Sequence, residues 1–255
     1  MLKRIITIML LLLTLQSIKE LHAQTTKVNN DIYMFHLKDS VYIHTTFFNI
    51  EPYGRVSANG LVMIKNGAAL MIDTPWNNEL TEQLYNYIKD SLNSTVKQLI
   101  IGHYHEDCMG GIDYLKSKNV KTISGNVTKQ KCIDHKLTVA DKTFDKLLKL
   151  DFEGTEVICN YFGGGHTADN IVAYITDKNI LFGGCLIKSK HSNNLGSIKD
   201  AVIEDWDRTV EAVKLKYGNA EIIIPGHGRY GDNSLLDHTI KLVRRYREQV
   251  NNPVK

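Results

Sequence analysis

The chain has 255 residues, 43% of them hydrophobic and 23% charged, with a formal net charge of +3. That length allows a substantial core, and so mild a charge balance carries no electrostatic footprint for nucleic acid. Four prolines and four cysteines are present, and no low-complexity segment or linker interrupts the chain.

Lys3 and Arg4 precede an apolar stretch over 5–15, and a polar segment then runs to Leu21-His22-Ala23. Positive start, short apolar core and small final residue make the pattern of a secretory signal peptide. The stretch is too short to span a bilayer comfortably. Residues 1–23 are therefore expected to be a signal peptide and 24–255 a single exported domain beginning near Gln24. No cysteine stands at the cleavage point to accept a lipid, so no membrane anchor is expected. Without this leader, acidic and basic residues nearly balance. A small neutral or anionic substrate fits better than a polymer, and a monomer is expected.

Short β-branched runs alternate with amphipathic ones. Strands are expected at 41–46, 61–64, 68–73, 98–101, 157–162, 171–175, 180–182 and 222–224. The 3.6-residue period predicts a helix carrying Leu80, Leu84, Ile88 and Leu92. It predicts another with Trp206, Val210, Val213 and Tyr217, and a last with Leu236, Ile240 and Val243. Asn78 and Ser234 are the expected N-caps of the first and last. Sheets with helices packed outside them, an α/β layered domain, follow from this order.

Residues 103–107 read His-Tyr-His-Glu-Asp, followed by Cys-Met-Gly-Gly. Two imidazoles and a carboxylate within five residues suit a metal such as zinc. Similar signals follow three other expected strands: Gly163-Gly164-Gly165-His166, Gly183-Gly184-Cys185 and Pro225-Gly226-His227. Strand ends projecting to one rim would bring all four loops together. Six candidate ligands exceed one tetrahedral zinc with an open position. They divide between two ions: His103, His105 and His166 at one, Asp107, Cys185 and His227 at the other. Cys108, Cys132 and Cys159 are expected to be free thiols. His36, His44, His135, His191 and His238 have no ligand context. Asp73, at a strand end, either orients a histidine or caps the turn that follows it.

On the His103-x-His105-x-Asp107 cluster, Gly165-His166-Thr167-x-Asp169-Asn170, Cys185 and Pro225-Gly226-His227-Gly228, the chain resembles the metallo-β-lactamase superfamily. The resemblance implies a four-layer αββα sandwich with the site at one edge of the two sheets. Thioester hydrolases, RNA-processing nucleases and B3 lactamases of that superfamily typically carry histidine after the motif aspartate. Cys108 stands there instead, and with Cys185 it makes the pattern similar to subclass B1, the di-zinc class B enzymes. That implies two zinc ions and hydrolysis of the β-lactam ring of penicillins, cephalosporins and carbapenems by a metal-bound hydroxide, conferring antibiotic resistance. By the same resemblance, Lys188 receives the substrate carboxylate and Asn194 helps polarise the lactam carbonyl. Asp107 orients the nucleophile, and the segment 46–59 is a flap. Export would place such an enzyme in the periplasm of a Gram-negative bacterium. A thioester or lactone hydrolase, an exported zinc-binding module and a nuclease are the competing readings. Cys108 and Cys185 count against the first, Lys188 against the second, and neutral charge with export against the third.

Overall fold

A computed structural model describes residues 25–252; the expected leader lies outside them. Eight strands form the first sheet in sequence order: β1 (Thr25–Lys27), β2 (Ile32–Lys38), β3 (Val41–Ile50), β4 (Gly54–Lys65), β5 (Ala68–Ile72), β6 (Thr95–Ile100), β7 (Lys121–Gly125) and β8 (Lys142–Phe144). Pairing is antiparallel through β5 and parallel from β5 to β8. The second sheet has the order β13-β12-β11-β10-β9. Its strands are β9 (Leu147–Phe152), β10 (Thr155–Asn160), β11 (Val172–Ile175), β12 (Ile180–Gly184) and β13 (Ile222–Pro225). Only the β12–β13 pair is parallel.

The helices that cover the first sheet are α1 (Asn78–Asp90), α2 (Glu106–Met109), α3 (Ile112–Ser117) and α4 (Asn126–Asp134). Those on the second are α5 (Ile203–Tyr217) and α6 (Ser234–Asn251). Three apolar layers hold the stack together. Leu61, Leu70 and Ile72 of the first sheet meet Val157, Ile175 and Phe182 of the second. Leu84, Ile88 and Leu115 lie against the outer face of the first sheet, with Val62, Met71 and Leu99. Trp206, Val210 and Leu236 cover Leu181 and Ile223 of the second. This is the αββα sandwich, and strands buried on both faces explain the continuous apolar run of β5, Ala-Ala-Leu-Met-Ile.

Each strand and helix expected from the sequence is present, with shifted ends. The caps differ. Asn77, not Asn78, caps α1, its side chain accepting from the Leu80 N–H. Asn78 instead accepts from the Tyr114 N–H at 3.0 Å, tying α1 to α3. Asn233, not Ser234, stands at the N-cap of α6, without a side-chain cap bond. The Ser234 N–H donates to Asp232 Oδ1 at 2.9 Å, so an aspartate-led turn starts that helix.

The segment 46–59 is the far end of the β3–β4 hairpin, paired out to Ile50 and Gly54. Phe47 meets Tyr33 edge-on, and Phe48 stacks on Trp76 with ring centroids 6.1 Å apart. Tyr53 at the tip is 61% exposed.

Loss of an N-cap acceptor costs about 1 kcal/mol. Asn77→Ala is therefore expected to destabilise the protein by that amount in urea unfolding; an unchanged midpoint would contradict the assigned cap.

Candidate metal centre

The ends of β6, β12 and β13 and the loop after β10 meet at one rim. β6 stops at Ile100, and the next turn carries His103 and His105 before α2 presents Asp107. Two buried carboxylates fix that turn. Asp73, just after β5, accepts from the Gly102 N–H at 2.6 Å, and Asp169 accepts from the Tyr104 N–H at 3.0 Å. The Ile171 N–H donates to the Gly102 carbonyl at 2.9 Å. The turn is thus tied to both sheets. Asp73 therefore holds the backbone beside His103 rather than the imidazole itself. A Cβ at Gly102 would lie 2.9 Å from Asp73 Oδ2, so a larger residue would displace this anchor.

Three imidazoles pack edge to face. Ring centroids of His103 and His105 lie 4.6 Å apart, those of His103 and His166 5.0 Å, and those of His105 and His166 5.3 Å. His103 Nε2 is 3.0 Å from His105 Nδ1. Burial and the neighbouring His103 hold His105 below the ordinary imidazole range, and the same causes depress His166 further, with the Lys188 charge adding to them. Neutral imidazole is the form that ligates a metal.

The second group is a near-equilateral triangle. Cys185 Sγ is 3.3 Å from Asp107 Oδ2 and 3.4 Å from His227 Nε2, and His227 Nε2 is 3.3 Å from Asp107 Oδ2. Burial alone would raise the Asp107 carboxyl, but the His227 hydrogen bond and the His103 charge hold it well below its usual range. Burial would lower His227; the Cys185 charge and the Asp107 hydrogen bond push it well above normal. The neighbouring Cys108 thiol is the main influence that lowers the Cys185 thiol below its usual range, against burial. Gly226 packs on Cys185: a Cβ there would lie 2.3 Å from the sulfur, which gives the glycine before His227 its reason. Asp107 joins the two groups, its Oδ1 lying 3.8 Å from His103 Nε2.

The arrangement fits metal ions by the chemistry of its donors. In three histidines the nitrogen turned away from the cluster is already engaged. His103 Nδ1 lies 3.1 Å from Cys108 Sγ, and His105 Nε2 lies 3.1 Å from Asp200 Oδ2. His227 Nδ1 donates to the Ser57 carbonyl at 2.6 Å. Such outer partners orient a ligating imidazole and fix its tautomer. His166 Nδ1 is buried without a protein partner among the described residues. Asp200 was not foreseen from the sequence, because it stands in a plain Lys-Asp-Ala loop 95 residues beyond His105.

The other expected site residues surround the rim. Lys188 is 8% exposed, and its ammonium lies 5.2 Å from the Trp206 ring centroid. No ion pair involves it among the described residues, and burial lowers its pKa. Trp206 is held by its indole N–H donating to the Leu186 carbonyl at 2.8 Å. Asn194 is exposed on the loop between β12 and α5, its Oδ1 accepting from the Gly196 N–H at 2.9 Å. Among the histidines without ligand context, His44 is buried beneath the site, 3.2 Å from the Asp73 carbonyl, and burial lowers it to about 4.

This fold and rim are those of a metal-dependent hydrolase family. The family model of the metallo-beta-lactamase superfamily matches residues 53–227, more than half of the chain, and the chain belongs to that family. It is 36% identical over 247 residues to the metallo-beta-lactamase type 2 of Bacteroides fragilis, covering 97% of this chain and 99% of that protein. Among solved structures it is similar to VMB-1, at 35% identity and TM-score 0.81, covering 86% of this chain and 99% of that one. TMB-1 matches at 34% identity and TM-score 0.82, covering 86% and 100%.

Loss of an outer partner to a ligating histidine typically weakens metal affinity about 10- to 100-fold. Asp200→Ala is expected to do so in competition with a chromogenic chelator; unchanged affinity would contradict its role in orienting His105.

Proposed function

We propose that this chain hydrolyses the β-lactam ring of penicillins, cephalosporins and carbapenems, using two zinc ions, and so confers antibiotic resistance. His103, His105 and His166 would hold one ion and Asp107, Cys185 and His227 the other. The observation that carries this reading is the meeting of two three-donor groups at one rim, with Asp107 between them. Zinc in such sites supplies Lewis acidity and a bound water deprotonated near neutral pH.

The chain's own residues supply the rest. Asp107, kept ionised, can accept a hydrogen bond from the attacking water and orient it. Lys188 offers an ammonium with no carboxylate partner among the described residues, on the wall formed by Trp206. Its flexible stem lets that charge meet the carboxylate these antibiotics share. Burial strengthens the attraction because less water screens it. Asn194 uses its Oδ1 within the loop, which leaves its amide hydrogens to donate to the lactam carbonyl as negative charge develops there. The β3–β4 hairpin, with Phe48 against Trp76 and Trp76 6.4 Å from the His227 ring, borders the rim and serves as the flap over bound substrate.

The expected leader at 1–23 would export residues 24–255 to a periplasm, where we propose that the chain acts as a monomer without a membrane anchor. No helix among the described residues is long and apolar enough to cross a membrane.

Hydrolysis of a chromogenic cephalosporin and a carbapenem tests this directly. A chelator should abolish both activities and added zinc should restore them; hydrolysis unaffected by the chelator would refute the reading. A hydrogen bond to a charged group contributes about 1.5–3 kcal/mol. Lys188→Ala should therefore raise KM about 10- to 100-fold, with a smaller change in kcat. An unchanged KM across carboxylate-bearing substrates would reject its role.

A further inference from the structure

Cys108 belongs to neither three-donor group, yet its sulfur lies within 4.8 Å of the Cys185 sulfur, in a cluster that includes His103 and Asp107. The two cysteines reach this spot from separate elements, α2 and the end of β12. Both are buried, at 2% and 3% exposure, and both are free thiols. The remaining cysteines lie elsewhere. Cys132 Sγ donates to Met109 Sδ at 3.6 Å on the outer face of the first sheet. Cys159 is enclosed between the sheets.

We propose that Cys108 and Cys185 are an oxidation site: without metal they close to a disulfide, and a bound ion prevents it. The protection rests on the reading of Cys185 as a ligand; the closeness of the two sulfurs does not. An ion on the Cys185 sulfur engages the electron pair that an oxidant would attack. Without one, the nearest second thiol is that of Cys108. A disulfide bond is about 2.0 Å long, so the sulfurs must approach by less than about 3 Å. Rotation about the two Cα–Cβ bonds moves a sulfur on that scale.

With hydrogen peroxide as oxidant, two S–H bonds and the O–O bond break. One S–S bond and two O–H bonds form. The sulfurs lose two electrons, and the peroxide is reduced to two waters. The product withdraws Cys185 from the second donor group while leaving His103, His105 and His166 in place. A thiol reductant reverses the step by exchange.

The test treats the metal-stripped and the zinc-loaded protein with hydrogen peroxide. Thiols are then alkylated under denaturing conditions and mapped by mass spectrometry. The stripped protein should fall from four free thiols to two, all four being free at the start. Its intact mass should drop by about 2 Da, the two hydrogens lost in forming the disulfide. One crosslinked peptide should join residues 108 and 185, and reductant should restore four thiols together with full zinc uptake. The zinc-loaded protein should keep four, and Cys108→Ser should show no mass loss. A sulfinic acid at Cys185 with Cys108 still free would overturn the inference, as would a bridge to Cys132 or Cys159. The metal reading fails separately, if the untreated chain takes up no zinc. The inference fails if zinc is taken up but the stripped protein forms no 108–185 bridge.

Discussion

Everything at the rim depends on how the turn 102–104 is held. It carries His103 and leads to His105 and Asp107, and it is short, polar and buried. Buried backbone amides need acceptors. Asp73 supplies one from the first sheet and Asp169 another from the loop before β11. Burying an ionised carboxylate costs free energy. Burial accordingly pushes Asp73 up to about 8, against the opposing influence of His103 and the Gly102 hydrogen bond. The fold accepts that cost to fix one turn between two sheets, and the turn leads to three of the six candidate donors.

The remaining donors arrive by the same architecture. Cys185 and His227 follow the adjacent parallel strands β12 and β13, so their separation is set by strand pairing rather than by flexible loop. His227 is tied across to the first sheet through the Ser57 carbonyl, and the Gly226 carbonyl accepts from the Asn59 N–H at 2.8 Å. Asn59 Nδ2 donates to the Pro225 and Gly228 carbonyls at 3.0 and 2.7 Å. The rim is therefore clamped from both sheets, which holds the candidate donors in place. Such preorganisation keeps a reactive site within narrow tolerances. Cys108 lies beneath it, between His103 and Cys185, where it serves the imidazole as a partner and the neighbouring sulfur as a potential bond.

Much of this was legible in the sequence, for a physical reason. Buried strands need apolar, β-branched runs, and the ligand loops need glycine where backbone passes close to a side chain. The regular Gly-His and Gly-Cys steps after strands therefore marked the rim. Gly102 against Asp73 and Gly226 against Cys185 show why. What escaped lacks such a signal. α4 buries only Thr128 and Cys132 and so has no apolar stripe to read. β8 is three residues, Lys-Thr-Phe, one of them buried. Asp200 acts through a contact across 95 residues, which no local pattern encodes. The α1 cap moved by one residue because two asparagines, Asn77 and Asn78, stand at its start and only packing selects which one caps; at α6 the turn led by Asp232 sets the start.

We propose that one rim holds two distinct metal sites. Native mass spectrometry of the protein during zinc titration measures this most directly. It should show two zinc ions per chain, falling to one in Cys185→Ser while the three-histidine group remains loaded. A chain that saturates at a single ion, or a Cys185→Ser protein that still binds two, would contradict it.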